Sequence, residues 1–266
     1  MDSYKLTYWN IPGRGECIRI MLTLGNMDFE NDFIPLPFPI PNPKNMTPPP
    51  FDDGTWGKLK PGTPWGTLPT LKLPDGRVVG QQRAIVRYLA KNIEHEGFLL
   101  YPEEESSALV VDGFMDMVED IWPILVGLNG THSMETAPLL STIFGKPYLT
   151  EFITERMEPK KGDLALMFDH LERAFSEGPY LLGNKPSCAD VFLFAAISWW
   201  GAGMFPSMDI ILKGRPKIKQ AIEKVGTWSK LRDYYSELKP SRSKLPKVGM
   251  TKYEDYYKNF HFLCGV

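Results

Sequence analysis

Only three cysteines occur in the 266 residues, Cys17, Cys188 and Cys264. Their odd number and wide spacing argue against a disulfide framework and suit free thiols in a reducing compartment. Histidine is scarce too: His95, His132, His170 and His261 never stand at ligand spacing with one another or with a cysteine, so no metal is expected. No apolar run reaches the length of a membrane span, so no membrane partner is expected. The formal net charge is only −2 and the lysines and arginines are scattered, which leaves no basic footprint for nucleic acid. Met1-Asp2-Ser3-Tyr4-Lys5 runs straight into a strand-like segment, without the apolar core of a secretion signal or the arginine-rich pattern of a transit peptide. A cytoplasmic location is therefore expected. What is present is 43% hydrophobic residues on a chain long enough for one large core or two modest ones.

Strand and helix signals alternate at first. Tyr4 to Trp9 reads as a strand, Arg14 to Leu24 as a helix after the Pro12-Gly13 turn, and Phe29 to Ile34 as a second strand. Residues 35–64 are dense in proline, which supplies neither ladder donors nor helix hydrogen bonds, so a loop is expected there. Thr70 to Leu73 and Arg77 to Val79 flank Pro74-Asp75-Gly76 and predict a hairpin. A helix follows from Gln81, with Ala84, Ile85, Tyr88 and Leu89 at helical spacing. From there to about Ser236 only helices are legible, at Glu104 to Leu128, around Leu164, Phe168, Leu171 and Phe175, from Ser187, and from Pro216. The expected architecture is an α/β domain of order βαβ-ββα over 1–95, an all-helical domain over 103–238, and a C-terminal extension over 239–266.

Four motifs stand in a telling order. They are Tyr4-Lys5-Leu6-Thr7-Tyr8-Trp9-Asn10 with Gly13-Arg14-Gly15-Glu16; Trp65-Gly66-Thr67-Leu68-Pro69-Thr70-Leu71; Gln81-Gln82-Arg83-Ala84-Ile85-Val86-Arg87-Tyr88-Leu89; and Gly183-Asn184-Lys185-Pro186-Ser187-Cys188-Ala189-Asp190. Together, from Tyr4 to Leu238, they resemble cytosolic glutathione S-transferases of the tyrosine type, the sigma class above all. The resemblance implies a thioredoxin-like first domain that binds glutathione, a homodimer, and conjugation of the glutathione thiolate to hydrophobic electrophiles in the manner of detoxification enzymes. A sigma-type prostaglandin isomerase using the same thiolate is a second reading. A non-catalytic, crystallin-like or ligand-carrying relative is a third.

The catalytic assignments are Tyr8 and Arg14. Tyr8 ends the first strand, where ligands gather in α/β sheets, and its phenol can donate to a thiolate; on the residues alone a merely packing ring is equally open. Arg14 either adds positive field at the sulfur or faces solvent. The glutathione-binding set is Tyr8, Trp56, Lys60, Leu68, Pro69, Gln81, Gln82 and Asp116. Leu68 precedes the peptide that the resemblance implies is cis, where its backbone pairs with the cysteinyl part as an added strand would. Gln81 and Gln82 open a helix whose free amides and positive dipole end suit the γ-glutamyl carboxylate, with Gln82 standing where the family has serine. Trp56 and Lys60 match a segment that addresses the glycyl carboxylate. Asp116 matches a position that reaches across the dimer to the γ-glutamyl amine; a solvated face shared with Asp112 is the alternative. Trp9 and Ile11 are expected on the electrophile side. Ser187-x-x-Asp190 is a capping box assigned to folding. The aromatic tail, with Tyr253, Tyr256, Tyr257, Phe260 and Phe262, is expected to fold back over the helical part, as a lid or as a docked support.

Overall fold

A computed structural model describes residues 3–34, 55–125, 153–201, 207–242 and 253–266. Strand β1 (Tyr4–Trp9), helix α1 (Gly13–Leu24) and strand β2 (Phe29–Ile34) form the expected βαβ unit, with β1 and β2 parallel and Tyr8 opposite Phe33. Strand β3 (Thr70–Lys72) pairs antiparallel with β1, and β4 (Val78–Gly80) antiparallel with β3, giving the order β2-β1-β3-β4. Alternation along β1 sends Leu6 and Tyr8 inward, and Leu6 faces the equally buried Leu71 across the ladder. Helix α3 (Gln82–Ala90) packs beside α1, and both meet a long helix of the second half. The first part is thus a thioredoxin-like unit and the remainder is mostly helical.

The expected loop at 35–64 is only partly described. Its residues 35–54 lie outside the described residues, whereas Thr55–Leu59 forms a short helix, α2, followed by a 3-10 turn at Lys60–Gly62. Proline density stops at Phe51, and between there and Pro61 no ring blocks helical hydrogen bonds. Between Glu94 and Leu99 stands a hairpin that the sequence reading missed, β5 (Glu94–His95) and β6 (Phe98–Leu99). Its turn residues Glu96 and Gly97 both have positive φ, the pattern that Asn-Gly or Asp-Gly usually supplies. The Glu96 carboxylate is held there by Tyr180 Oη and Lys224 Nζ, each at 3.0 Å.

Helix α4 spans Glu105–Leu125; the expected continuation to Leu128 lies outside the described residues. It is followed by α5 (Asp163–Ala174), α6 (Cys188–Trp200), α7 (Met208–Leu212), α8 (Pro216–Gly226), α9 (Ser229–Arg242) and α10 (Tyr253–Cys264). Helix α6 is apolar on nearly every side because it is the axis of the core, touching α1, α3, α4, α8 and α10. Its start is the predicted capping box: Ser187 N–H and Oγ–H both donate to Asp190 Oδ2 at 2.8 Å, and Leu181 N–H donates to Oδ1 at 2.7 Å. Helix α10 folds back against α6, α8 and α9, burying Tyr257 and Phe260. The crossing with α8 is close: a Cβ on Gly226 would lie 2.4 Å from the Leu263 carbonyl oxygen. Among the described residues the contacts of α10 include α6, α8, α9 and Glu16 of α1.

Candidate functional site

The end of β1 and the start of α1 build one arrangement around Tyr8. The Pro12-Gly13 turn folds the backbone onto the phenol, so that the Arg14 N–H donates to Tyr8 Oη at 3.0 Å. Gly13, at φ 42°, leaves no room for a side chain: a Cβ there would sit 2.6 Å from Tyr8 Oη, and one on Gly15 2.5 Å from the ring. Tyr8 is only 4% exposed. Burial raises its phenol pKa, against the pull of the Arg14 charge and amide, which keeps the group protonated at neutral pH. Its oxygen already accepts from Arg14, and among the described residues its hydrogen has no acceptor. The phenol is therefore set up as a donor.

The Arg14 side chain does not face solvent freely. Its guanidinium makes a close pair with Glu119 of α4, Nε at 2.7 Å, and lies 5.1 Å from the Trp122 ring. Neither Glu119 nor the backbone donor was legible beforehand; Glu119 lies one turn beyond Asp116 on α4, and nothing in local spacing marks it.

A second group gathers at the β3–β4–α3 edge. The Leu68–Pro69 peptide is cis. Trp65 is 67% exposed and lies over Gly80, where a Cβ would approach its ring to 2.8 Å. Gln81 precedes α3 at φ 72° and ψ 103°, a conformation that a residue with a side chain seldom holds without cause, and such outliers concentrate at functional sites. Gln82, the first residue of α3, has its Oε1 buried without a hydrogen-bond partner among the described residues. The Lys60 side chain runs past Gly66, and the Trp56 ring meets Trp9 edge-on with centroids 5.7 Å apart. Through these contacts Trp56 adjoins the residue after Tyr8, and Lys60 adjoins the turn before Leu68.

Asp116 sits beside the start of α3 but is engaged within its own chain, 2.9 Å from Arg83 Nη1 and 3.4 Å from Arg87 Nη2. Asp112, its companion one turn earlier, takes Arg87 Nε at 2.5 Å and the Tyr101 hydroxyl at 3.1 Å. The shared face of Asp112 and Asp116 is thus a clamp between α3 and α4 rather than a simply solvated surface. Arg83 and Arg87 were part of the recognised helix motif, yet their charge partners on α4 had no sequence signal.

The cysteines are not poised as nucleophiles. Cys17, Cys188 and Cys264 are all buried and free, and burial pushes each thiol up, that of Cys264 to about 12. Among the described residues no cluster of His, Cys, Asp and Glu suits a metal, and no helix is long and apolar enough to cross a membrane. An apolar cavity of about 310 Å³ lies elsewhere, between α4 and α5, lined by residues that include Leu109, Val110, Phe114 and Met117. It contains none of the groups around Tyr8.

Comparison with known proteins agrees with this placement of the fold. Residues 16–92 match the family model "Glutathione S-transferase, N-terminal domain" and residues 155–235 "Glutathione S-transferase, C-terminal domain". Tyr8 and Arg14 precede the first matched stretch. Glutathione S-transferase 4 of Caenorhabditis elegans is 34% identical over 73% of this chain and 78% of its own length. The hematopoietic prostaglandin D synthase of Mus musculus is 30% identical over 44% of this chain and 51% of its own. Among solved structures, the glutathione S-transferase from Ascaris lumbricoides superposes with a TM-score of 0.58 at 24% identity, covering 88% of this chain and 97% of that one.

Proposed function

Since this chain belongs to the glutathione S-transferase family and is an enzyme of that family with glutathione as co-substrate, we propose that Tyr8 holds glutathione as a thiolate for attack on a hydrophobic electrophile. The observation that carries this reading is the Tyr8 hydroxyl, fixed by the Arg14 N–H and left with an uncommitted hydrogen. A thiol of pKa about 8.5 is only about 3% ionised at pH 7. Lowering that pKa by about two units needs about 2.7 kcal/mol, within the roughly 1.5–3 kcal/mol of one charge-assisted hydrogen bond. One phenol suffices. The thiol proton leaves to solvent when the bound glutathione ionises. The thiolate sulfur then bonds to the electrophilic carbon, which either expels its leaving group with the bonding electron pair or, in an addition, takes up a proton from solvent at the neighbouring atom; the protein forms no covalent intermediate.

Glutathione would extend from Tyr8 along Leu68 and Pro69 toward α3. The free amides at the start of that helix suit its γ-glutamyl carboxylate. The unpartnered Oε1 of Gln82 supports a contact with the γ-glutamyl amine, a different use of this position from a serine hydroxyl. Trp56 and Lys60 would address the glycyl end, and Trp9 and Ile11 the electrophile. Arg14 contributes through its backbone, its charge being largely matched by Glu119. Asp116 would serve a partner's glutathione only by exchanging with Arg83 and Arg87.

We further propose a homodimer with a cytoplasmic role in detoxification. Exposed Leu109, Val110 and Leu166 on α4 and α5 favour the pairing, since apolar side chains grouped on a surface mark contact faces. Prostaglandin isomerisation by the same thiolate is the second reading, favoured by the likeness to the mouse prostaglandin D synthase. Glutathione affinity capture followed by conjugation and isomerase assays on wild type and Tyr8→Phe separates the possibilities. Capture without turnover of either kind would leave a binding scaffold and defeat the catalytic reading.

A further inference from the structure

Behind the Tyr8 turn lies a fully buried ion pair. Glu16 and Arg19, one helical turn apart on α1, have no exposed side-chain surface, and Arg19 Nη1 meets Glu16 Oε2 at 2.7 Å. Burial opposes the charged form of Arg19, but the groups around it, Glu16 foremost, together more than offset that and hold the guanidinium charged. Glu16 also accepts three hydroxyls: Tyr234 at 3.4 Å and Tyr235 at 3.1 Å from α9, and Tyr257 at 3.0 Å from α10. Arg19 in turn donates to the carbonyls of Ile11 at 3.3 Å and Pro12 at 3.5 Å, and to Asn31 Oδ1 of β2 at 2.8 Å. Ile11 and Pro12 open the turn whose next residues, Gly13 and Arg14, lie against the Tyr8 hydroxyl.

We propose that Tyr257, acting through Glu16 and Arg19, is a positioning residue for Tyr8: helix α10 braces the Ile11–Arg14 turn from within and so fixes where the phenol hydrogen points. The inference rests on the thiolate reading above. A buried ion pair is a poor way to gain stability alone, because apolar residues of equal volume commonly do as well. Here the pair is directed. Its anion collects the tail and its cation grips two carbonyls of the turn, so the terminal helix and the phenol share one hydrogen-bonded path. Reaction geometry is sensitive to such bracing, since a misplacement of about 1 Å can cost on the order of a hundredfold in rate.

The test uses the full-length protein with bound glutathione, reading the thiolate absorbance against pH together with the pH profile of kcat/KM for a small electrophile. Tyr257→Phe keeps the ring and removes only the hydroxyl. It should raise the pKa of the bound thiol by about half a unit, from about 6.5 to about 7, which lowers the thiolate fraction at pH 7 by about 1.5-fold, with glutathione affinity within about twofold of wild type. Asn31→Ala, which loosens Arg19 from the β2 side, should shift the titration the same way, and Tyr8→Phe should shift it further. A folded Tyr257→Phe protein that melts earlier yet keeps the wild-type titration and profile would overturn the inference, leaving the hub as packing only. Should Tyr257→Phe fail to fold, Asn31→Ala decides by the same reading. If Tyr8→Phe itself leaves the titration unmoved, the thiolate reading fails, and that result is distinct from a failure confined to Tyr257 and Asn31.

Discussion

The hydroxyl of Tyr8 accepts the backbone N–H of Arg14 at 3.0 Å, while the Arg14 guanidinium turns to Glu119 on α4. Backbone and side chain of one residue thus do different things. The amide fixes the phenol, and the charge ties the β1–α1 turn to the helical part.

That division makes Arg14→Ala informative. The amide survives the substitution, so the thiolate titration should stay near wild type. The lost ion pair is partly exposed, which limits the stability cost to about 1 kcal/mol. Thiolate absorbance and thermal melting check both halves. A thiol pKa raised as far as in Tyr8→Phe would mean that the guanidinium charge, not the amide, carries the effect.

Gly13→Ala should be far more damaging than Arg14→Ala. The new Cβ would come 2.6 Å from Tyr8 Oη at a residue with φ 42°, so the turn or the phenol must move. We expect a folded protein with kcat/KM down at least about tenfold, in line with the sensitivity of reaction geometry to small displacements. Wild-type turnover would show that the phenol tolerates displacement.

The Asp190 carboxyl should leave a mark on the stability curve. Burial raises its folded pKa to about 6 from an ordinary 3.8, despite the hydrogen bonds from Leu181 and Ser187. The folded state therefore holds this proton more tightly than the unfolded chain. The associated stability is complete below about pH 4 and is lost as pH rises through about 6, at most about 3 kcal/mol. Asp190→Asn loses an acceptor and should be less stable throughout, but the gap to wild type should narrow between pH 4 and 6.5. Urea unfolding at several pH values measures it, and a constant gap would refute the shift.

The sequence was most legible where local chemistry leaves one solution. Alternation placed β1, and Ser187-x-x-Asp190 announced the start of α6 because a cap needs those groups at that spacing. The Pro12-Gly13 turn and Tyr8 were visible, but the Arg14 amide on the phenol was not, since a backbone donor carries no residue signature. Long-range pairs such as Arg14 with Glu119 and Glu16 with Tyr257 are separated by 105 and 241 positions and answer to tertiary packing alone. The β5–β6 hairpin was hidden for another reason: Glu96 occupies a turn position normally taken by Asn or Asp, and partners from α8 and the Tyr180 loop hold it there.

The Tyr8→Phe substitution sets the scale for every other prediction. Removing the hydroxyl should raise the pKa of bound glutathione by about two units. That alone changes the thiolate fraction at pH 7 about 25-fold, but the more basic thiolate is the better nucleophile, and a Brønsted slope near 0.45 restores about eightfold. Ionisation by itself therefore accounts for a loss of only about threefold at pH 7. A loss between about threefold and a hundredfold would assign the remainder to orientation of the sulfur, the proximity contribution that the Gly13 and Arg14 contacts serve. The pH dependence separates the two parts. Well above the mutant thiol pKa both proteins are fully ionised, so an ionisation effect vanishes or reverses there while an orientation effect persists. If the variant keeps the wild-type kcat/KM profile and the wild-type thiolate absorbance, the Tyr8 ring only packs beneath Gly13 and Gly15, and the sulfur is activated by another group.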